Sequence, residues 1–288
     1  MAISEYDAFG PWIYEIDAVH GIPPLFTPYC EDNTACQMRF KIPREIERRR
    51  ATPDMDLYDF VVEARAQEVR ILRRTAHTVA EERIPYSQIE GIQVFRRFLE
   101  GRCTIYAGGK QTVLHFNTIS MQIMMRFVHL LRRNQTDKRD CLMVPAQGEL
   151  PSDILFENLL RDMQRDGETF RIGAYQPDGP LKRQKGTVLQ RLSDWIRPKS
   201  IPSAVHLVGE RELIILQKAG VPEKGHSEFG YTYTYLPLHC LRGLQIRPNE
   251  TYSGVMDLIL YAAGQPLIFS CLAEQDAVTA FYQAAAIQ

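Results

Sequence analysis

The chain has 288 residues, 45% of them hydrophobic and 24% charged, a balance that fits a soluble globular protein long enough for two domains. A formal net charge of −1 and a pI near 6.7 lack the basic footprint of a nucleic-acid binder, and no apolar run reaches the length of a membrane span. The opening MAISEYDAFG has neither the basic start nor the apolar stretch of a secretory signal. The expectation is therefore a cytoplasmic protein, with the inner face of the membrane as its place of peripheral contact.

Residues 1–50 read as a lead-in. They carry GPWIYEIDAVHGIPPLFTPY and KIPREIERRR, and their aromatic side chains predict packing on the domain that follows rather than a free tail. A first domain is expected over 51–134. Alternation and turn residues place strands at 57–64, 69–74, 79–84, 91–97, 102–106 and 111–116. Ala107-Gly108-Gly109-Lys110 marks a hairpin, because glycine takes positive φ without steric cost. The period then changes. Met121, Met124, Met125, Val128 and Leu131 recur at helical spacing over 120–133. Thr118 or Ser120 suits the N-cap, and Arg132 and Arg133 suit the negative C-terminal end.

Residues 135–200 open polar, continue with a predicted helix over 152–165, and then carry the turn-rich, basic run GAYQPDGPLKRQKG. A second domain follows over 201–288. Its strands are expected at 204–208, 212–217, 231–236, 242–247, 256–261 and 266–270, with Pro266 at a strand start or sheet edge. A last helix is expected over 274–286, with Ala277, Val278, Phe281, Tyr282 and Ala285 as its apolar stripe.

The two domains repeat one another. IPYSQIEGIQV (84–94) aligns with LPLHCLRGLQI (236–246) at a constant offset of 152, matching Pro85 to Pro237, Gly91 to Gly243 and Gln93 to Gln245. EVRILRR (68–74) aligns with ELIILQK (212–218), and CTIYAGGK (103–110) with LILYAAGQ (258–265). A spaced repeat of this length indicates one small domain present twice. The charges do not repeat: residues 41–140 carry 19 Lys/Arg against 13 Asp/Glu, and residues 201–288 carry 5 against 8.

The strand order, the domain length and the single C-terminal helix resemble the pleckstrin-homology (PH) superfold. GERELIILQK (209–218), YTYTYLPLHCLRGLQI (231–246) and LILYAAGQPLIFSCLAEQDAVTAFYQ (258–283), with their counterparts in the first copy, resemble bacterial PH-like domains over roughly 57–134 and 203–288. The resemblance implies a mainly β, α+β protein of two curled antiparallel sheets, each closed by one C-terminal helix. It also implies a binding or scaffold module, since PH-like domains hold lipid heads, peptides or other proteins at rim loops.

Residue chemistry points the same way. None of the common nucleophile, phosphate-loop or dinucleotide motifs occurs, so neither catalytic residues nor a cofactor is assigned. The six cysteines include no C-x-x-C and no zinc spacing, and Cys103 and Cys271 lie in apolar strands as core residues. The candidate site is basic. If the strands of the first copy alternate up and down in one meander, Arg73, Arg74, Arg96 and Arg97 end at one rim, joined by Arg102. Guanidinium groups there suit phosphate or carboxylate, and would also serve as a charged edge that discourages strand pairing. The second copy has Lys218, Lys224 and Arg247 near the equivalent rim. Tyr231, Tyr233 and Tyr235 share one strand face, outward for a partner or inward as core; Thr232 and Thr234 between them favour inward. The expected partner is a protein, or an anionic lipid head or phosphorylated group, and not nucleic acid. The competing reading is an enzyme or small-molecule binder whose interdomain cleft is lined by His20, Tyr175, Asp178 and Trp195.

Overall fold

The computed structural model describes residues 4–30, 36–135, 153–184, 199–218, 230–262, 264–273 and 276–284, with 186, 187, 189, 192, 194 and 195. It is mainly β with helices, and its strand pairings are antiparallel. Two compact units divide the chain. The first is Met1–Ile89, Leu99–Cys103 and Val113–Asp137; the second is Glu90–Phe98, Thr104–Thr112 and Lys138–Gln288.

The first unit opens with a short helix, α1 (Glu5–Ala8), and then builds a sheet whose order is its chain order: β1 (Tyr14–Glu15), β2 (Cys36–Pro43), β3 (Tyr58–Arg65), β4 (Glu68–Thr75) and β5 (Thr78–Pro85). Both faces of this sheet are covered. On one face, Phe40 of β2 meets Phe127 edge-on at 5.1 Å between ring centroids. The other face lies under the lead-in: Phe9 and Phe26 pack with Leu57, Val61 and Leu72, flanked by Tyr6, Tyr14 and Ile22. Two-sided burial takes an unusual form in β2, whose apolar and charged residues alternate and are both covered. Met38, Phe40 and Ile42 are buried on one face, and Arg39 and Lys41 are equally buried on the other.

At Pro85 the chain leaves this sheet through a single 3₁₀ turn and enters another. β6 (Ile89–Arg97), β7 (Glu100–Ala107) and β8 (Lys110–Asn117) follow, and then helix α2 (Met121–Asn134). Met124, Phe127, Val128 and Leu131 form the buried stripe of α2, while Met121 and Met125 are only partly covered. The expected cap is absent. Ser120 does not cap α2, because its hydroxyl accepts the buried backbone N–H of Ile13 at 2.8 Å; Asn117 instead caps the 3₁₀ turn before the helix.

In the second unit helix α3 (Ile154–Arg165) precedes β9 (Phe170–Gln176), β10 (Gly179–Pro180), β11 (Lys182–Arg183), β12 (Ser200–Ile201), β13 (Ala204–Gly209), β14 (Glu212–Lys218) and β15 (Gly230–Pro237). β16 (Leu241–Pro248), β17 (Tyr252–Ser253), β18 (Val255–Ala262), β19 (Gln265–Leu272) and helix α4 (Asp276–Ala284) complete the chain. A seven-stranded sheet runs β8-β7-β6-β15-β14-β13-β9, and a three-stranded one β16-β18-β19. Short ladders join β10 to β12 and β11 to β17. Val278, Phe281 and Tyr282 of α4 enter the core made by Val208, Leu213, Ile215, Leu236, Leu258 and Leu260. Ser152 and Glu274, expected to open α3 and α4, lie outside the described residues.

The repeat is visible in the backbone. Moving β3 and β4 by 144 and β5 by 152 reproduces the register of the second copy: Val62 opposite Ile71 becomes His206 opposite Ile215, and Glu68 opposite Pro85 becomes Glu212 opposite Pro237. The proline step repeats to the hydrogen bond. Tyr86 N–H donates to Gln67 O and Leu238 N–H to Arg211 O; Ile89 and Leu241 then close the two 3₁₀ turns. Proline fixes φ near −58° at both steps, and it turns the strand without spending an N–H. The hairpin glycines also correspond. Gly109 and Gly264 have φ of +73° and +104°, and a Cβ on Gly264 would stand 2.6 Å from Gly109 Cα.

Candidate functional site

The arginines singled out by the sequence sit on strands of two sheets. Arg73 and Arg74 end β4 in the five-stranded sheet, whereas Arg96 and Arg97 end β6 in the seven-stranded one. Reading β4 and β6 as even strands of one meander overlooks the change of sheet at Pro85. Arg73 is exposed, its guanidinium 5.2 Å from the centroid of the Phe60 ring. Arg74 holds a carboxylate: its Nε and a terminal nitrogen donate to Asp59 Oδ1 at 3.0 and 2.6 Å. Arg96 donates to Tyr231 Oη at 2.9 Å and lies over that ring. Arg97, opposite Gly230, and Arg102, on β7, are half-buried. In the second copy Lys218 pairs with Asp153 and lies over Phe156, Arg247 is exposed, and Lys224 lies outside the described residues.

A larger assembly of charge lies under the lead-in, and sequence reasoning missed it. One cross-strand row of the five-stranded sheet reads Arg39, Glu63, Arg70, Arg83. Arg39, Glu63 and Arg70 are 5%, 0% and 3% exposed. Glu63 is ion-paired with Arg39 at 2.8 Å, Arg65 at 2.7 Å and Arg70 at 3.3 Å. Arg70 also donates to Tyr29 O at 2.6 Å and to Glu81 at 2.7 Å, and Arg83 joins Glu81 to Glu68. The hydrogen bond from Arg70, aided by Arg83, holds the Glu81 carboxyl down at about 2. Two thiols border the cluster. Arg39 donates to Cys36 Sγ at 3.6 Å, and burial beside Glu63 pushes the Cys30 thiol up to about 11. In the second copy the same row is apolar: Ile172, Leu207, Ile214, Tyr235. The signal available in the sequence was this register-for-register substitution, and it requires knowing that β2 and β9 are strands.

Other polar residues are bound into the interior. Lys41, 2% exposed, donates to Glu5 and Gly21 O and lies 4.4 Å over the Tyr58 ring. His206 Nδ1 and Tyr282 Oη share a hydrogen bond of 2.8 Å; burial pushes the imidazole down to about 4. Tyr231, Tyr233 and Tyr235 are buried, and Tyr233 stacks on Tyr235 at 6.0 Å. Thr234, expected to face solvent, is buried as well, because β6 pairs alongside and Gln93 donates to its hydroxyl.

The residues offered for a cleft have separate surroundings. His20 stacks on Tyr14 at 4.0 Å, and Tyr175 meets Phe156 edge-on. Asp178 is exposed, and Trp195 is 80% exposed. Among the described residues no three His, Cys, Asp or Glu side chains converge as metal ligands, and no helix is long and apolar enough to cross a membrane. Cys103 and Cys271 are buried, and Cys141 lies outside the described residues. No protein-family model matches the sequence, and no curated protein matches it.

Proposed function

We propose that the chain is a non-catalytic binding or scaffold module of two PH-like domains, 51–134 and 201–288, each dividing its strands between two antiparallel sheets, where one curled sheet was expected, and ending in a helix. The observation that carries this reading is the doubled frame. Strand registers, proline steps and hairpin glycines recur, while the side chains around them diverge from a charged row to an apolar one. A retained frame with divergent faces suits two recognition surfaces on one chain. The interior ionisable groups serve packing: Glu63, Lys41 and His206 are each spent on internal partners. Recognition then falls to strand edges, turns, the exposed Arg73 and the half-buried arginines of β6 and β7. The partner is a protein in the cytoplasm or at the inner face of the membrane, and Arg73, Arg96, Arg97 and Arg102 supply contacts to its acidic groups.

A pull-down with the full chain, at low and high salt, tests the reading. Arg73→Glu with Arg97→Glu is expected to release acidic partners that the wild type retains. The thermal midpoint should move little, because ion pairs near the surface contribute about 0–1 kcal/mol. Retention of every partner by the double variant would remove the arginines from the reading. An unchanged partner set at high salt would remove the acidic character of the partner.

A further inference from the structure

We infer that the chain binds a second copy of itself by strand addition, with β16 of one copy lying antiparallel beside β5 of the other. This deepens the scaffold reading by naming one partner. The template is inside the molecule. β15, the strand that ends at the second proline step, receives β6, the strand that follows the first: Tyr235 faces Ile92, Thr234 faces Gln93, Tyr233 faces Val94 and Thr232 faces Phe95. The repeat equivalents of these strands are β5 and β16. Among the described strands, each of those two ends its sheet and has a hydrogen-bonded neighbour on one side only. The chain thus contains the same pair of edges twice, and joins one pair internally.

The register carries over. Advancing β6 and setting back β15 by 152 converts the observed pairs into Leu244 with Arg83, Gln245 with Glu82, Ile246 with Glu81 and Arg247 with Ala80. Because β4–β5 and β14–β15 share one register, the outward N–H and C=O groups of β5 fall where β15 presents its own to β6. Burial differs as an unmade junction requires. Ile92 and Val94 of β6 are 1% and 0% exposed, whereas their equivalents Leu244 and Ile246 are only partly covered. Tyr231, Tyr233 and Tyr235 are buried, whereas Glu81 and Arg83 are exposed and Val79 is half-buried.

The side chains select β5 with β16 over either edge with itself. β5 carries Glu81 and Glu82, and β16 carries Arg242 and Arg247. In the transferred register Arg247 lies diagonal to Glu82, a favourable cross-strand relation, and Arg83 extends its aliphatic stem across Leu244. Two β16 edges would bring guanidinium groups together, and two β5 edges would offer four carboxylates no cation but Arg83, which already holds Glu81 and Glu68 within its own sheet. Pro248 limits the ladder to the residues before it, since it has no N–H to donate. The contact is heterologous: two copies using both edges reciprocally close a dimer, and one edge from each propagates a chain.

The experiment uses the full chain. Sedimentation velocity from dilute solution up to about 100 µM is expected to show mass above 33.1 kDa, rising with concentration. Amide exchange should slow with concentration at 79–83 and 242–247. Arg247→Glu and Glu82→Arg should each weaken association by about tenfold, and the two together in one chain should restore it. Circular dichroism verifies folding, and each single variant stands in for the other if one fails to fold. A single 33.1 kDa species at every concentration overturns the inference: the charges and Pro248 then merely guard two edges. Association untouched by either variant, or protection gained on other strands, overturns it equally. A monomeric chain that still retains other proteins in the pull-down would refute self-association while leaving the scaffold reading in place.

Discussion

At the scale of single residues, the row Arg39, Glu63, Arg70 is the costliest choice in the first unit. Removing three charges from water is repaid only where geometry and hydrogen bonds are good, and breaking such a set is far worse than never having it. Here one carboxylate serves three guanidinium groups, and Arg70 adds Glu81 and a carbonyl. Glu63→Ala leaves Arg39 and Arg70 buried without their shared anion and is expected to cost about 3–5 kcal/mol. The second copy shows the alternative, with Ile172, Leu207 and Ile214 at the same register positions. The triple variant Arg39→Ile, Glu63→Leu, Arg70→Ile should therefore lie within about 1 kcal/mol of the wild type or above it. Urea denaturation of the single and triple variants checks this. A triple variant as weak as Glu63→Ala would mean that the row contributes more than neutralised charge.

At the scale of elements, the two glycine hairpins show how a local rule acquires a tertiary reason. Positive φ alone would make alanine at Gly264 cost about 1 kcal/mol. The φ of +104° coincides with a contact, since the added Cβ would stand 2.6 Å from Gly109 Cα and 3.1 Å from its nitrogen. Backbone cannot swing aside as a side chain can. Gly264→Ala is therefore expected to cost about 2–3 kcal/mol, beyond the conformational term, in a thermal or urea melt; a loss at the conformational value would mean that the two turns separate freely. These hairpins, the strands flanking them and the proline steps were legible in the sequence, because each has a pattern of its own and a second copy to confirm it. β2 and β9 were missed. Met38-Arg39-Phe40-Lys41-Ile42 does alternate apolar and charged residues, but it lies in the segment taken as a lead-in, and alternation alone would place Arg39 and Lys41 in solvent, whereas both are buried. Leu244 and Ile246 are half-covered for a related reason: the pattern gives their face but not that β16 lies at an edge. The arginine rim followed from counting strands, and strand counting does not register a change of sheet.

At the scale of the whole molecule, the two units carry different titrating groups, so acid should not weaken them together. His206 belongs to the second unit and is 2% exposed. Burial lowers its imidazole from 6.5 to about 4. The unfolded chain then takes up a proton below 6.5 that the folded chain refuses until about 4. Stability is full above 6.5 and falls as the pH drops through that window, by about 3 kcal/mol in all. Glu81 belongs to the first unit, where the hydrogen bond from Arg70 holds its carboxyl at about 2 against 4.5. Its contribution is present above 4.5 and is lost only between 4.5 and 2. Glu5, also of the first unit, is raised by burial, so the folded state binds its proton more readily and gains just above 4.5 as acid is added. At pH 5 the second unit should therefore be weakened while the first is not. Amide exchange at pH 7 and pH 5, corrected for intrinsic rates, should show protection falling in β13, β14, β18 and α4 but holding in β2, β3 and β4. His206→Gln, which keeps a partner for Tyr282 without a titrating ring, should abolish the loss. Equal loss in both units, or an unchanged loss in the variant, would place the acid sensitivity elsewhere.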